Sequence, residues 1–316
     1  MAAAFRKPVF DAKKEIGSLN GKVILITGGT GGLGRETVLS FVAHEPAHIY
    51  FTGRSQPSAD KVLAACKTRY PQIPVTFLRC DLADLEDVQR AAKRFLSLEH
   101  RLDILLANAG IMSKPPGVTK QGYELQFGTN HMGHALLVQL LTPLLQATAK
   151  ESGDARIVWD TSLAYSLHPP GGTQFSSLKT PQNNLGRIFS PWVRYAQSKL
   201  ANLLYAREYA KHHPEITSVS IHPGVSATGL VEGLSTFYKV FVYITSWWMM
   251  VPPETCAWNQ QWAATAPLGK GGRQVESGGY YEPVGFKGGL TRSAGDDGLA
   301  AKLWEWTEAE LEKYSL

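Results

Sequence analysis

Short apolar runs recur along the chain, each followed by a segment whose apolar positions have helical spacing. Lys22–Thr27 (KVILIT) is the first run, and His48–Thr52, Val75–Arg79, Ile104–Ala107, Arg156–Trp159 and Ser218–His222 continue the series. Between them lie helical candidates over Glu36–Ala43, Ala59–Arg69, Leu85–Leu96, Gly133–Leu145 and Tyr195–His212. Apolar strands alternating with amphipathic helices predict βαβ units. The fold class is therefore α/β, with a doubly wound parallel sheet covered by helices on both faces. Such sheets take ligands at the carboxyl ends of their strands.

Two stretches break the rhythm. Ser166–Pro191 is rich in Pro, Gly, Ser, Thr and Asn and reads as a long loop at the substrate mouth. Gly224–Pro253 is an insertion with bulky apolar residues, and loops of such length are commonly functional. The tail Leu299–Tyr314 reads as a closing amphipathic helix. The expectation is one domain over residues 1–316, with an N-terminal extension at 1–19, a substrate lid at 225–253 and the closing helix at 299–314.

With 316 residues, 44% hydrophobic and 19% charged, the chain can bury a large core without disulfides or metals. The net charge of +5 comes from scattered basic residues, so no nucleic-acid footprint is visible. Cys66, Cys80 and Cys256 have no metal-type or CxxC spacing and read as reduced thiols, which points to a cytoplasmic location. No apolar core follows the charged residues Arg6, Lys7, Lys13 and Lys14, so the start does not read as a secretory leader. The most apolar run, Phe237–Val251, is interrupted by Lys239 and is shorter than the roughly 20 residues that cross a bilayer. Contact with a membrane surface stays open; a transmembrane span is not expected.

The first run leads directly into Thr27-Gly28-Gly29-Thr30-Gly31-Gly32-Leu33-Gly34. A glycine-rich turn between strand and helix lets the backbone approach a pyrophosphate, and the helix start offers free N–H groups. Gly28 makes the turn, Gly32 allows close approach and Gly34 lets the helix pack on the strand. By itself this motif also suits a methyltransferase. NAD sites usually carry an acid at the end of the second strand for the ribose 2′-hydroxyl. Here that strand ends Thr52-Gly53-Arg54-Ser55. Arg54, and Arg35 after Gly34, are candidates to meet a 2′-phosphate, so NADP(H) is the expected cofactor.

Tyr195 and Lys199 form the chain's single Tyr-x-x-x-Lys. At i and i+4 on a helix the two share a face. A free tyrosine has a pKa of about 10, and a neighbouring cation is expected to lower it into a useful range for an acid.

Together, the glycine loop and this pair resemble the short-chain dehydrogenase/reductase family, a Rossmann-type fold, over roughly residues 20 to 315. Thr27–Gly34 matches its TGxxxGxG motif, and Asp81-Leu82 follows the third strand where the family meets adenine. Asn108-Ala109-Gly110 matches the NAG motif. Asn130, Ser162, Tyr195 and Lys199 match the catalytic asparagine, serine, tyrosine and lysine. Pro223-Gly224, with Val225 and Thr228, matches the segment that closes over nicotinamide and phosphate. The layout is similar to the retinol dehydrogenase-like and fungal tailoring-ketoreductase branch of secondary metabolism. One departure is Asp160, in Val158-Trp159-Asp160-Thr161-Ser162, where that branch has a small or apolar residue. Asp160 reads as a strand-end acid or as a perturbation of the site's polarity.

The resemblance implies a mechanism. Ser162 and Tyr195 would hold a carbonyl, NADPH would deliver hydride and Tyr195 would add the proton. Lys199 would hold the nicotinamide ribose, and Asn130 would anchor a water leading to solvent. The implied activity is an NADPH-dependent carbonyl reductase or alcohol dehydrogenase for a bulky hydrophobic ketone, aldehyde or alcohol, working as monomer or homodimer. The alternative is a non-catalytic NADP-binding regulatory or scaffold protein. The lid, with Leu230, Leu234, Phe237, Tyr238, Phe241, Tyr243, Trp247, Trp248, Met249 and Met250, offers an apolar pocket, a packed core or a membrane patch. His131 and His134 are at helical spacing with no third ligand nearby. They read as structural, and no metal is expected.

Overall fold

A computed structural model describes residues 10–185, 189–226, 238–239, 243–244 and 247–315. Strands β1 (Val23–Ile26), β2 (His48–Gly53), β3 (Val75–Arg79), β4 (Ile104–Ala107), β5 (Arg156–Asp160) and β6 (Thr217–Ile221) coincide with the six apolar runs to within a residue or two. Two further strands, β7 (Tyr280–Glu282) and β8 (Phe286–Lys287), complete an eight-stranded sheet in the order β3-β2-β1-β4-β5-β6-β7-β8. β1 to β7 pair in parallel, and β8 closes the edge antiparallel to β7. The strand order reverses between β1 and β4, which opens a crevice at their carboxyl ends.

Both faces of the sheet are buried because alternate residues of each strand feed different cores. Leu25, Leu105, Ile157 and Trp159 point to one side. There they meet α3 (Leu85–Leu96), α4 (Gly133–Ser152), α5 (Ser190–His212) and α7 (Asp297–Leu311). Ile24, Ile26, Leu106 and Val158 point to the other. There they meet α1 (Gly32–Phe41), α2 (Gln56–Arg69) and α6 (Pro253–Thr265). Helix starts follow local capping chemistry: Ser55 accepts from the Ser58 amide, Asp84 from the Glu86 amide and Asp296 from the Leu299 amide.

Three expectations needed adjustment. Helix α5 starts at Ser190, a turn before Tyr195, because Pro191 in its first turn needs no amide partner. Helix α4 continues past Pro143 to Ser152 and ends on Gly153, whose φ of 75° is left-handed. Within the stretch Ser166–Pro191, the described residues 166–185 are not a free loop. A Cβ on Gly172 would strike Leu299, Leu178 is fully buried and Gln182 accepts from Gln197 at 2.9 Å, so this stretch is pinned to α5 and α7.

The two ends of the expected lid are clipped together, with Val225 bridging to Met250 and the Val251 amide donating to the Val225 carbonyl at 3.0 Å. Thr228, Leu230, Leu234, Phe237 and Phe241 lie outside the described residues. Among the described residues no helix is long and apolar enough to cross a membrane.

Candidate active site

The glycine turn is shaped by contact. Gly28 has φ of 70°, and a Cβ on Gly34 would lie 2.5 Å from the Gly28 carbonyl and 2.6 Å from Asn108 Nδ2. Gly34 therefore seats α1 on the β1 and β4 ends. No side chain caps the start of α1, so its first amides are left for a ligand. Thr27 ties the turn to β4: its Oγ1 accepts from the Ala109 amide at 3.0 Å, and its carbonyl accepts from Asn108 Nδ2 at 2.7 Å. The Asn108-Ala109-Gly110 motif thus braces the crevice as well as lining it.

A cavity of about 520 Å³ runs along the carboxyl ends of the strands. It gathers Gly28, Thr30, Gly32, Leu33, Arg54, Asp81, Leu82, Asn108, Ala109, Gly110, Tyr195, Lys199 and Pro223, all read from the sequence. An uncapped helix start, an exposed arginine at the β2 end and Asp81 at the β3 end, in one continuous cavity, fit a dinucleotide phosphate. Arg35 is not brought in. It pairs with Glu36, the next residue on α1. Gly224 and Val225, read from the sequence, are not among the residues lining it; a Cβ on Gly224 would face Cys256. Lys114, Met112, Ile111, Cys80 and Asp160 line it without a sequence motif that would announce them.

Asn130 sits on a π-helical turn, Gly128–Met132, just before α4. Its Oδ1 accepts from the Ile111 amide at 2.8 Å, and its Nδ2 donates to the Ile111 carbonyl and to Ser198 Oγ, both at 2.9 Å. Both amide hydrogens are committed. The side chain is therefore a brace between the β4 loop and α5. The wide turn also frees the Asn130 carbonyl to accept from His134 Nδ1 at 2.8 Å.

His134 Nε2 lies 2.8 Å from Thr27 Oγ1, and His131 Nε2 lies 3.0 Å from Thr307 Oγ1. Burial lowers the His131 pKa to about 3 and that of His134 to about 4, so both are neutral internal struts.

Lys199 Nζ donates to the Asp160 carbonyl at 2.8 Å and lies 5.9 Å from the Tyr195 ring centroid. Thr161 Oγ1 donates to the Lys199 carbonyl at 2.6 Å, which fixes α5 against the end of β5. Ser162, the next residue, lies near enough to Tyr195 to favour its ionised form, and its Oγ accepts from the Ala164 amide at 3.2 Å. Burial pushes the Tyr195 phenol up to about 12, Ser162 pulls it down and Asp160 pushes it further up. Desolvation of the phenolate is the largest influence and raises the phenol, against the lowering expected from Lys199.

Tyr195 also belongs to an apolar cluster with Met112 and Trp192, against which Ala164 and Tyr238 pack. Trp192 meets Tyr195 edge-on at 6.3 Å and Tyr238 at 6.2 Å. Tyr238 is the described lid residue that reaches this cluster beside Tyr195. Trp247 and Trp248 face outward, 68% and 52% exposed.

A family model described as short chain dehydrogenase matches residues 22–239. An uncharacterized oxidoreductase of Schizosaccharomyces pombe is 38% identical over 303 residues, covering 94% of this chain and 87% of its own. Human retinol dehydrogenase 11 is 30% identical over 289 residues, 91% of this chain and 85% of its own. A solved structure of an uncharacterized protein from Mycobacterium paratuberculosis superposes with a TM-score of 0.72 at 26% identity, covering 96% of this chain and 97% of that one.

Proposed function

This chain belongs to the short-chain dehydrogenase/reductase family of oxidoreductases, and we propose that it is an NADPH-dependent carbonyl reductase for a bulky hydrophobic ketone or aldehyde. The observation that carries this reading is Tyr195 itself. A buried phenol held in its protonated form near Ser162 and walled by Met112, Trp192 and Tyr238 is built to donate a proton to an oxygen beside an apolar group.

NADPH supplies the hydride. Ser162 and Tyr195 hold the carbonyl oxygen, which draws electron density from the carbon that the hydride reaches. The oxygen then takes the Tyr195 proton, and the phenolate regains one from solvent. Lys199, held by the Asp160 carbonyl, would hold the nicotinamide ribose. Arg54 at the end of β2, with no acid in its place, supports NADPH over NADH. The relative named for retinol, together with the aromatic wall, supports a lipophilic substrate. Unpaired, buried Cys66, Cys80 and Cys256 support a reducing, cytoplasmic setting. The whole chain, extension and lid included, would act as one catalytic unit.

The test is an NADPH-oxidation screen against hydrophobic aldehydes, ketones and enones, run with the parent chain and with Tyr195→Phe. Turnover that vanishes in Tyr195→Phe while NADPH still quenches tryptophan fluorescence supports the reading. Turnover that persists in the variant rejects it.

A further inference from the structure

Among the described residues, three cations line the cavity: Arg54, Lys199 and Lys114. Two of them have a task in the reaction above. Arg54 follows β2, where a 2′-phosphate would lie, and Lys199 Nζ donates to the Asp160 carbonyl. Lys114 has no such task. Farther along the same connection, Lys120 is held by Asp84 and Glu86 at 3.1 and 2.6 Å. The Lys114 ammonium has no carboxylate in ion-pairing reach among the described residues.

Its place along the cavity follows from what the chain passes after β4. At Ala109 the chain lies against the glycine turn, since a Cβ on Gly28 would come 3.0 Å from Ala109. At Gly110 it passes Lys199, whose Nζ would lie 3.5 Å from a Cβ there. At Met112 it joins the apolar cluster of Trp192 and Tyr195. At Lys114 its carbonyl accepts from Nη2 of Arg194, the residue before Tyr195 on α5, at 2.9 Å. The loop thus runs from the phosphate cradle to the Tyr195 end, and Lys114 comes after the point where it passes Lys199.

The backbone there is held in one course. Ser113 has φ of 51°, a left-handed conformation uncommon for a residue with a side chain. Its neighbours Met112 and Lys114 both reach the cavity wall while Ser113 does not. Arg194, which grips the Lys114 carbonyl, is itself fully buried against Glu124 and Ser190. A half-buried lysine on so fixed a backbone, with its charge unanswered, suits an anion that comes and goes. The phosphates of NADPH fall to Arg54 and to the uncapped start of α1, at the other end of the cavity. The ligand left for the Tyr195 end is the substrate.

We propose that Lys114 is a specificity-determining residue that takes a carboxylate of the substrate. The preferred carbonyl compound is then amphipathic, with its apolar body against Met112, Trp192 and Tyr238 and its anionic group at Lys114. This inference rests on the same pocket receiving the carbonyl substrate. An ion pair that water can reach is weak by itself, so the lysine acts on selection between substrates rather than on the hydride step.

The test compares a medium-chain aldehyde with the ω-oxo carboxylate of equal chain length, both at saturating NADPH. The parent chain should prefer the oxo acid. Lys114→Met should lower that preference about tenfold, through KM for the oxo acid, as expected for loss of one charge-assisted contact. Lys114→Glu should reverse the preference and Lys114→Arg should keep it, with circular dichroism confirming that each chain is folded. A parent chain with no preference, or a Lys114→Met chain that loses both substrates equally, overturns the proposal. So does a weaker NADPH quench of tryptophan fluorescence in Lys114→Met, which would put the ammonium on the cofactor. Binding of a medium-chain fatty carboxylate to the chain with NADP+ is followed by the same fluorescence. A carboxylate that binds the parent and not Lys114→Met, in a chain that reduces no carbonyl, would reject the assigned reaction and leave this subsite standing.

Discussion

Arg194 Nε lies 3.2 Å from Glu124 Oε1, and neither side chain is exposed to solvent. The approach is ionic rather than a well-aligned hydrogen bond. The guanidinium also donates to Ser190 Oγ at 3.0 Å and to the Lys114 carbonyl at 2.9 Å, while Glu124 Oε2 accepts from the Phe127 amide at 2.7 Å. One ion pair thus joins the residue before Tyr195, the cavity loop and the turn that leads to Asn130. Arg194→Met should leave a buried carboxylate without its cation and destabilise the fold by about 3–5 kcal/mol. Urea unfolding would show this as a lower midpoint at an unchanged slope, and a loss under about 1 kcal/mol would mean that Glu124 finds another partner.

Arg54 and Arg35 now separate. Arg54→Gln should weaken NADPH binding about tenfold to a hundredfold, the worth of a charge-assisted contact, and leave NADH binding nearly unchanged. Arg35→Gln should change neither, because Arg35 pairs with Glu36 away from the cavity. Fluorescence titration with both nucleotides decides the matter. Equal losses for NADPH and NADH in Arg54→Gln would remove Arg54 as the reader of the 2′-phosphate.

Acid should unfold this protein early. His131 and His222 are lowered to about 3 and His134 to about 4 by burial, while an unfolded histidine titrates near 6.5. The unfolded state binds more protons between those values, so stability is present above pH of about 6.5 and is lost as pH falls through that window. Each histidine adds a slope of about 1.4 kcal/mol per pH unit. His222→Asn should reduce the acid slope by roughly a third of the three-histidine total. Unfolding free energies measured from pH 7 to pH 5 would check this, and an unchanged slope would show that His222 already binds a proton in the folded chain.

Tyr238 packs on Trp192, which in turn packs on Tyr195. Tyr238→Ala should raise KM about tenfold for bulky ketones and little for small ones, with kcat for the small ones kept. A uniform loss of kcat across substrate sizes would place Tyr238 in support of Tyr195 instead of in the substrate wall.

Much of the fold was legible because its signals are local. The six parallel strands are short apolar runs buried on both faces, and the cradle glycines are forced by backbone geometry within a few residues of one another. β7 and β8 were not legible, since three and two residues carry no periodicity and are strands only because β6 offers an edge to Tyr280–Glu282. Helix α6 was missed for a similar reason. Its Asn259, Gln260 and Gln261 interrupt the apolar pattern, yet all three are buried, with Gln260 Nε2 donating to Thr37 Oγ1 at 2.6 Å.

The sequence by itself determined the six parallel strands, the glycine turn and the Tyr195–Lys199 pair, because each depends on spacing along one strand, turn or helix, while Asn130 and Ser162 came from the family resemblance. Tertiary structure decided what those groups do. Asn130 is a brace because Ile111 and Ser198 claim both its amide hydrogens. Tyr195 is pushed toward its protonated form by burial first and by Asp160 in addition. Charge, desolvation and hydrogen-bond commitment arise from neighbours far apart in the chain. No reading of spacing reaches them until the strands and helices that bring those neighbours together are in place.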